Sequence, residues 1–179
     1  MPRRFSLVVI LCEDRQQECF VYRYLRHKGL SRHSIRVRKA PSGKGAAEQY
    51  VRREYPSEVM TLRARSGSSA GLVAVIDADG LSVEDRLNQL AASLNDASQP
   101  PRQPQEPIAL LIPKRNIETW IHHLLGQSVN EDDQYPKFFD EQRKCEPAAR
   151  AFAERCPNNL DDAPPSLQAG CVELVHLLR

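Results

Sequence analysis

The chain has 179 residues, 41% hydrophobic and 27% charged, which suits one compact globular domain with a small appendage and requires no staple of disulfides or metal. The longest apolar run, Leu7–Cys12, is too short to cross a bilayer and follows no signal-peptide pattern. Five cysteines, an odd number with no Cys-x-x-Cys pair, fit reduced thiols in a cytoplasm better than a disulfide framework or a zinc site.

In chain order, Leu7–Cys12 is the first of three unalternating Val/Ile/Leu runs, with Leu72–Ile76 and Ile108–Ile112, expected of strands buried on both faces of a parallel sheet. Asp14 can cap a helix with Phe20, Val21, Tyr24 and Leu25 on its apolar face, ending at Gly29. Ser34–Ala40 alternates apolar and basic residues, as a half-exposed strand does. A second helix is expected from near Gly45, interrupted at Pro56. Ser82 and Asp85 form a capping box for a third, with Val83, Leu87, Leu90 and Leu94 as its stripe. Residues 95–107 hold four prolines and read as an extended connection. Asn116 opens a fourth helix carrying Ile117, Trp120, Ile121 and Leu124, and two further helices are expected from Pro147 and Ser166. The alternation predicts an open α/β fold: a mainly parallel four-stranded sheet flanked by helices over residues 1–127, with a helical C-terminal extension, 128–179, packed on it.

Charge divides unevenly along the chain. Residues 1–65 carry 15 Lys and Arg against 6 Asp and Glu, the remainder 10 against 17, and 19 of the 25 basic residues are arginine. Such a chain suits a polyanion-binding face beside a metal-binding cleft, as well as an ordinary salt-bridged surface. Acids also fall at strand ends: Glu13 and Asp14 after the first strand, Asp77 and Asp79 after the third, and Glu118 in the first turn of the helix after the fourth. Ligands of open α/β sheets bind outside those carboxyl ends. Converging carboxylates without His or Cys suit Mg²⁺ or Mn²⁺. Each has a plainer explanation: Asp14 as a helix cap, Glu118 as a partner of the helix dipole, Asp77–Gly80 as a turn.

A Glu after strand one together with an Asp-x-Asp after strand three resembles the TOPRIM pattern of topoisomerases, DnaG-type primases and overcoming-lysogenization-defect nucleases. Cys12-Glu13-Asp14-Arg15-Gln16-Gln17-Glu18 and Asn116-Ile117-Glu118-Thr119-Trp120 are similar to the opening and post-strand-four segments of small RloB-like TOPRIM proteins. They depart from that pattern at Asp14 (usually Gly), at Gln17 (usually Thr) and at Asn116, which lacks the following Pro. The resemblance implies metal-dependent hydrolysis of nucleic-acid phosphodiesters in an anti-phage or restriction-type defence system. Glu13, Asp77, Asp79 and Glu118 would be the catalytic and metal-holding residues, and DNA or RNA the partner. An ATPase encoded nearby is a further implied partner, a homo-oligomer an open assembly, and no membrane is involved.

Arg36, Arg38, Lys44, Lys114 and Arg115 are the expected nucleic-acid contacts. Ser42-Gly43-Lys44-Gly45 lacks the first Gly of a P-loop, so ATP binding there is not expected. Two other classes of function compete: a non-catalytic module binding nucleic acid or an ATPase, and a receiver-like phosphoacceptor built on Glu13, Asp14, Asp77 and Lys114.

Overall fold

The computed structural model describes residues 5–43, 46–65 and 69–179, with residues 141 and 142 by their backbone alone. Four strands, β1 (Leu7–Cys12), β2 (Ile35–Lys39), β3 (Ala70–Val75) and β4 (Ile108–Leu111), form one all-parallel sheet in the order β2-β1-β3-β4. Helices α1 (Arg15–His27), α2 (Ala47–Ala64), α3 (Val83–Asp96), α4 (Ile117–Leu124), α5 (Glu141–Arg155) and α6 (Pro165–Leu178) cover both faces. Strand order reverses between β1 and β3, so the crevice between their carboxyl ends is the place where this topology favours a ligand.

The strand pattern dictates two cores. Val8, Ile10 and Cys12 of β1, with Val73, Val75, Ala109 and Leu111, face α1, α4, α5 and α6. Leu11, Leu72, Ala74, Ile108 and Leu110 face α2 and α3. All six residues of β3 are buried, which explains its uninterrupted apolar sequence. β2 lies at an edge; Ile35 and Val37 pack on the first core, while Arg36 and Arg38 point to the other face and are exposed.

β4 is the opposite edge. α6 packs against it, and Glu173 reaches across so that its Oε2 accepts the Leu110 amide at 2.8 Å. Arg102 holds the same carboxylate through both Nη atoms, at 2.5 and 3.2 Å.

Three expectations are corrected. α2 is not interrupted at Pro56 but runs through it to Ala64. A mid-helix proline costs about 3 kcal/mol, and burial of Val51, Tyr55 and Val59 on the same helix outweighs that. α5 begins at Glu141 rather than Pro147, capped by the Asp140 side chain, which accepts the Arg143 amide at 3.2 Å. Finally, Cys156 and Cys171 are not free thiols but are joined in a disulfide that ties the end of α5 to α6, with Cα atoms 5.8 Å apart. Cys12, Cys19 and Cys145 lie outside that disulfide and are buried. Among the described residues no helix is long and apolar enough to cross a membrane.

Candidate active site at the carboxyl edge of the sheet

Where β1 ends, the chain must turn directly into α1, and Asp14 makes that turn. It is extended, caps the helix by accepting the Gln17 amide at 3.0 Å, and takes the Lys137 ammonium at 2.8 Å. With both carboxylate oxygens engaged, Asp14 is a cap.

Glu13 precedes the cap and faces β3. Its Oε1 accepts the Asp77 backbone amide at 2.5 Å and the Gln17 side-chain amide at 3.2 Å, while its own amide donates to Gln17 Oε1 at 2.8 Å. Burial raises the Glu13 carboxyl above its ordinary pKa; the Asp77 and Gln17 hydrogen bonds oppose that rise, the Asp14 charge adds to it, and Arg86 opposes it.

Asp77 follows β3, and its Oδ1 is enclosed without any hydrogen-bond partner. Burial first, then the charges of Glu13, Glu118 and Asp14, push this carboxyl well above the usual range. Glu118, on the first turn of α4, is 1% exposed. The sheet thus brings Glu13 and Glu118, from two other chain segments, into electrostatic range of Asp77.

Asp79 behaves differently. It is exposed, in the left-handed region at φ 46°, followed by Gly80 at φ 95°, within a turn closed by Leu81 N donating to Ala78 O at 3.1 Å. Asp tolerates that conformation better than most side chains. Arg115 lies over this turn: its Nη1 stands 3.1 Å from where a Cβ on Gly80 would be, its Nη2 donates to Gln134 at 3.3 Å, and its Nε is buried without a partner.

The other predicted contacts are dispersed. Lys114 is ion-paired to Asp132 at 2.6 Å. Arg38 is held by Glu54 at 3.2 Å and Glu58 at 3.4 Å on the α2 face of the sheet, and Arg36 lies two residues away on that face. Lys44 lies outside the described residues.

Two further residues support the site: Gln17, noted in the sequence only as a departure from the usual Thr, and Arg86, which the sequence pattern did not single out. Gln17 is fully buried and links Glu13 to the start of α1. Arg86, 4% exposed, donates to the Ala78 carbonyl at 3.2 Å and to Glu48 and Gln89 at 3.1 and 2.7 Å, so it pins the Asp77–Gly80 turn from α3. Its signal was present: residues 86, 90 and 94 share one helical face, and an arginine in register with two buried leucines needs buried acceptors.

Among the described residues, no three His, Cys, Asp or Glu side chains form a ready metal cage. The donor chemistry still fits a hard divalent cation, because the gathered groups are all carboxylates, they repel one another, and one oxygen is orphaned in the interior. Compared with known proteins, the chain matches no family model, no curated protein and no solved structure.

Proposed function

We propose that this protein is a TOPRIM-like, divalent-metal-dependent nuclease that hydrolyses nucleic-acid phosphodiester bonds. The observation that carries the reading is the buried, partnerless Oδ1 of Asp77, set beside Glu13 and Glu118 at the point where strand order reverses. Asp77, Glu13 and Glu118 would hold Mg²⁺ or Mn²⁺, with Asp79 completing the set from the adjoining turn. An ion held there would supply Lewis acidity toward a phosphoryl oxygen and the attacking water.

The chain's own groups do the rest. Gln17 and the Asp77 amide orient the Glu13 carboxylate, either to complete the ion site or to take a proton from the attacking water. Arg86 fixes the turn that presents Asp77 and Asp79. Arg115, over that turn, offers positive charge where a phosphodiester would approach. The defence role, the ATPase partner, self-assembly and a cytoplasmic location belong to the same proposal. The first three rest on the resemblance of the Cys12–Glu18 and Asn116–Trp120 segments; the location rested on the cysteine count, and the Cys156–Cys171 disulfide takes that support away.

A nuclease assay on DNA and RNA panels with Mg²⁺, Mn²⁺ or EDTA tests the reading. Cleavage should need metal and should vanish in Asp77→Asn, Asp79→Asn and Glu13→Gln proteins that remain folded. If all three cleave like the parent in one Mg²⁺ titration, the reading is wrong. A non-catalytic binding module is the second reading, favoured by the outward placement of Asp79. Metal-independent binding of nucleic acid with no cleavage under any condition would select it.

A further inference from the structure

Beside the carboxylate edge, the loop after α4 builds a second surface. His122, Tyr135 and Phe138 form a row of rings, with centroids 5.0 Å apart from His122 to Tyr135 and 4.7 Å from His122 to Phe138. Phe138 is anchored on the core, whereas the next residue, Phe139, is fully exposed. Phe138 and Phe139 line a groove of about 570 Å³ together with His122, Lys137, Arg143 and Lys144.

Arg143 and Lys144 are exposed and make no ion pair among the described residues. The acid in the groove wall, Asp140, is engaged in capping α5. The groove also joins the candidate active site: Lys137 binds Asp14, the residue after Glu13, and the Asn116 side chain donates to the Tyr135 carbonyl at 2.7 Å.

We propose that this groove binds single-stranded nucleic acid, stacking unpaired bases on Phe139 and the His122–Phe138 row while Arg143 and Lys144 follow the phosphates. Aromatic faces interleaved with cations are what a strand with exposed bases needs, and a duplex hides those faces. This deepens the nuclease reading by naming the substrate class, and it rests on that reading only for what happens after binding. The groove would lead an unpaired strand toward the Glu13–Asp77 edge.

The test is fluorescence anisotropy with labelled dT12, U12 and a 12-base-pair duplex, in EDTA so that no cleavage is involved. Both single strands should bind more tightly than the duplex. Phe139→Ala should weaken single-strand binding about five- to a hundredfold, the range of base–aromatic stacking, with unchanged melting temperature. The double variant Arg143→Glu, Lys144→Glu should weaken binding and flatten its salt dependence. Similar dT12 and U12 affinities support stacking common to both sugars, and a tenfold preference supports it while identifying DNA or RNA as the ligand. Equal affinity for duplex and single strand, or Phe139→Ala binding within twofold of the parent, overturns the proposal. Self-association that Phe139→Ala abolishes without touching oligonucleotide affinity overturns it in favour of a second copy of the chain. Because binding is read without metal, failure of cleavage elsewhere leaves this result unaffected.

Discussion

At Asp77 a single carboxyl group bears an electrostatic load that a Gln17 hydrogen bond opposes and that a cation or a proton would relieve. Asp77→Asn keeps the shape and removes the charge, so the metal-free protein should melt at a higher temperature than the parent while losing cleavage. A lower melting temperature would mean that the carboxylate is needed structurally. Asp14→Asn should cleave normally and lose no more than about 1 kcal/mol in urea denaturation, because Asn also caps helices and the lost Lys137 pair is largely exposed. His123 gives a pH signature away from the acids. Burial and the nearby Arg155 hold its pKa below the ordinary 6.5, against a smaller opposing pull from Asp162. The unfolded chain therefore takes up that proton more readily than the folded one. The contribution of His123 is intact above pH 6.5 and is lost as pH falls through the depressed folded value. Melting temperatures from pH 7.5 to 4.5 should fall less steeply for His123→Gln than for the parent, and parallel curves would assign the acid sensitivity to other groups.

Among the elements, α4 depends most on one contact. Trp120 is fully buried, its indole Nε1 donates to Ser166 Oγ at 2.8 Å, and a Cβ added to Gly170 would come within 2.7 Å of its ring. Trp120→Ala should cost about 3–5 kcal/mol in urea denaturation. Gly170→Ala should cost about 1–3 kcal/mol by overpacking, and the double variant less than the sum of the two, since the smaller residue at 120 removes the clash. Strict additivity would show that α6 shifts to accommodate the methyl group. The same elements show what a sequence discloses. Trp120 is an apolar residue at helical spacing, so its burial is legible, as are β1, β3 and β4 from their unbroken Val/Ile/Leu runs. α5 is not: among the described side chains of its first two turns only Cys145 is buried, so no apolar period marks the start, and Pro147 draws the eye as a false beginning. The Cys156–Cys171 pair was hidden because proximity arises from how α5 and α6 pack, not from spacing. The Glu13–Asp77 meeting was foreseeable from strand ends, whereas the roles of Gln17 and Arg86 depend on where their long side chains find acceptors across elements.

Over the whole molecule, much of the arginine excess of the first half is spent internally. Arg23, Arg38, Arg52 and Arg63 each hold a glutamate, so a basic sequence need not make an equally basic face. The sheet presents two open margins. At β2, Arg36, Arg38 and Lys39 line the strand with charged side chains, the last two paired to glutamates, and such side chains discourage an approaching strand. At β4, the Glu173 carboxylate occupies a backbone donor that an incoming chain would otherwise claim. Side-chain occupation of that donor guards against aggregation: α6 works as a stopper against edge-to-edge growth. Glu173→Ala should free the Leu110 amide and release Arg102, leaving an apolar strand as a template for a neighbouring chain. Light scattering should then show concentration-dependent assembly of a protein whose far-ultraviolet circular dichroism is unchanged, and a variant that stays as dispersed as the parent would show that the body of α6 alone suffices to shield the strand.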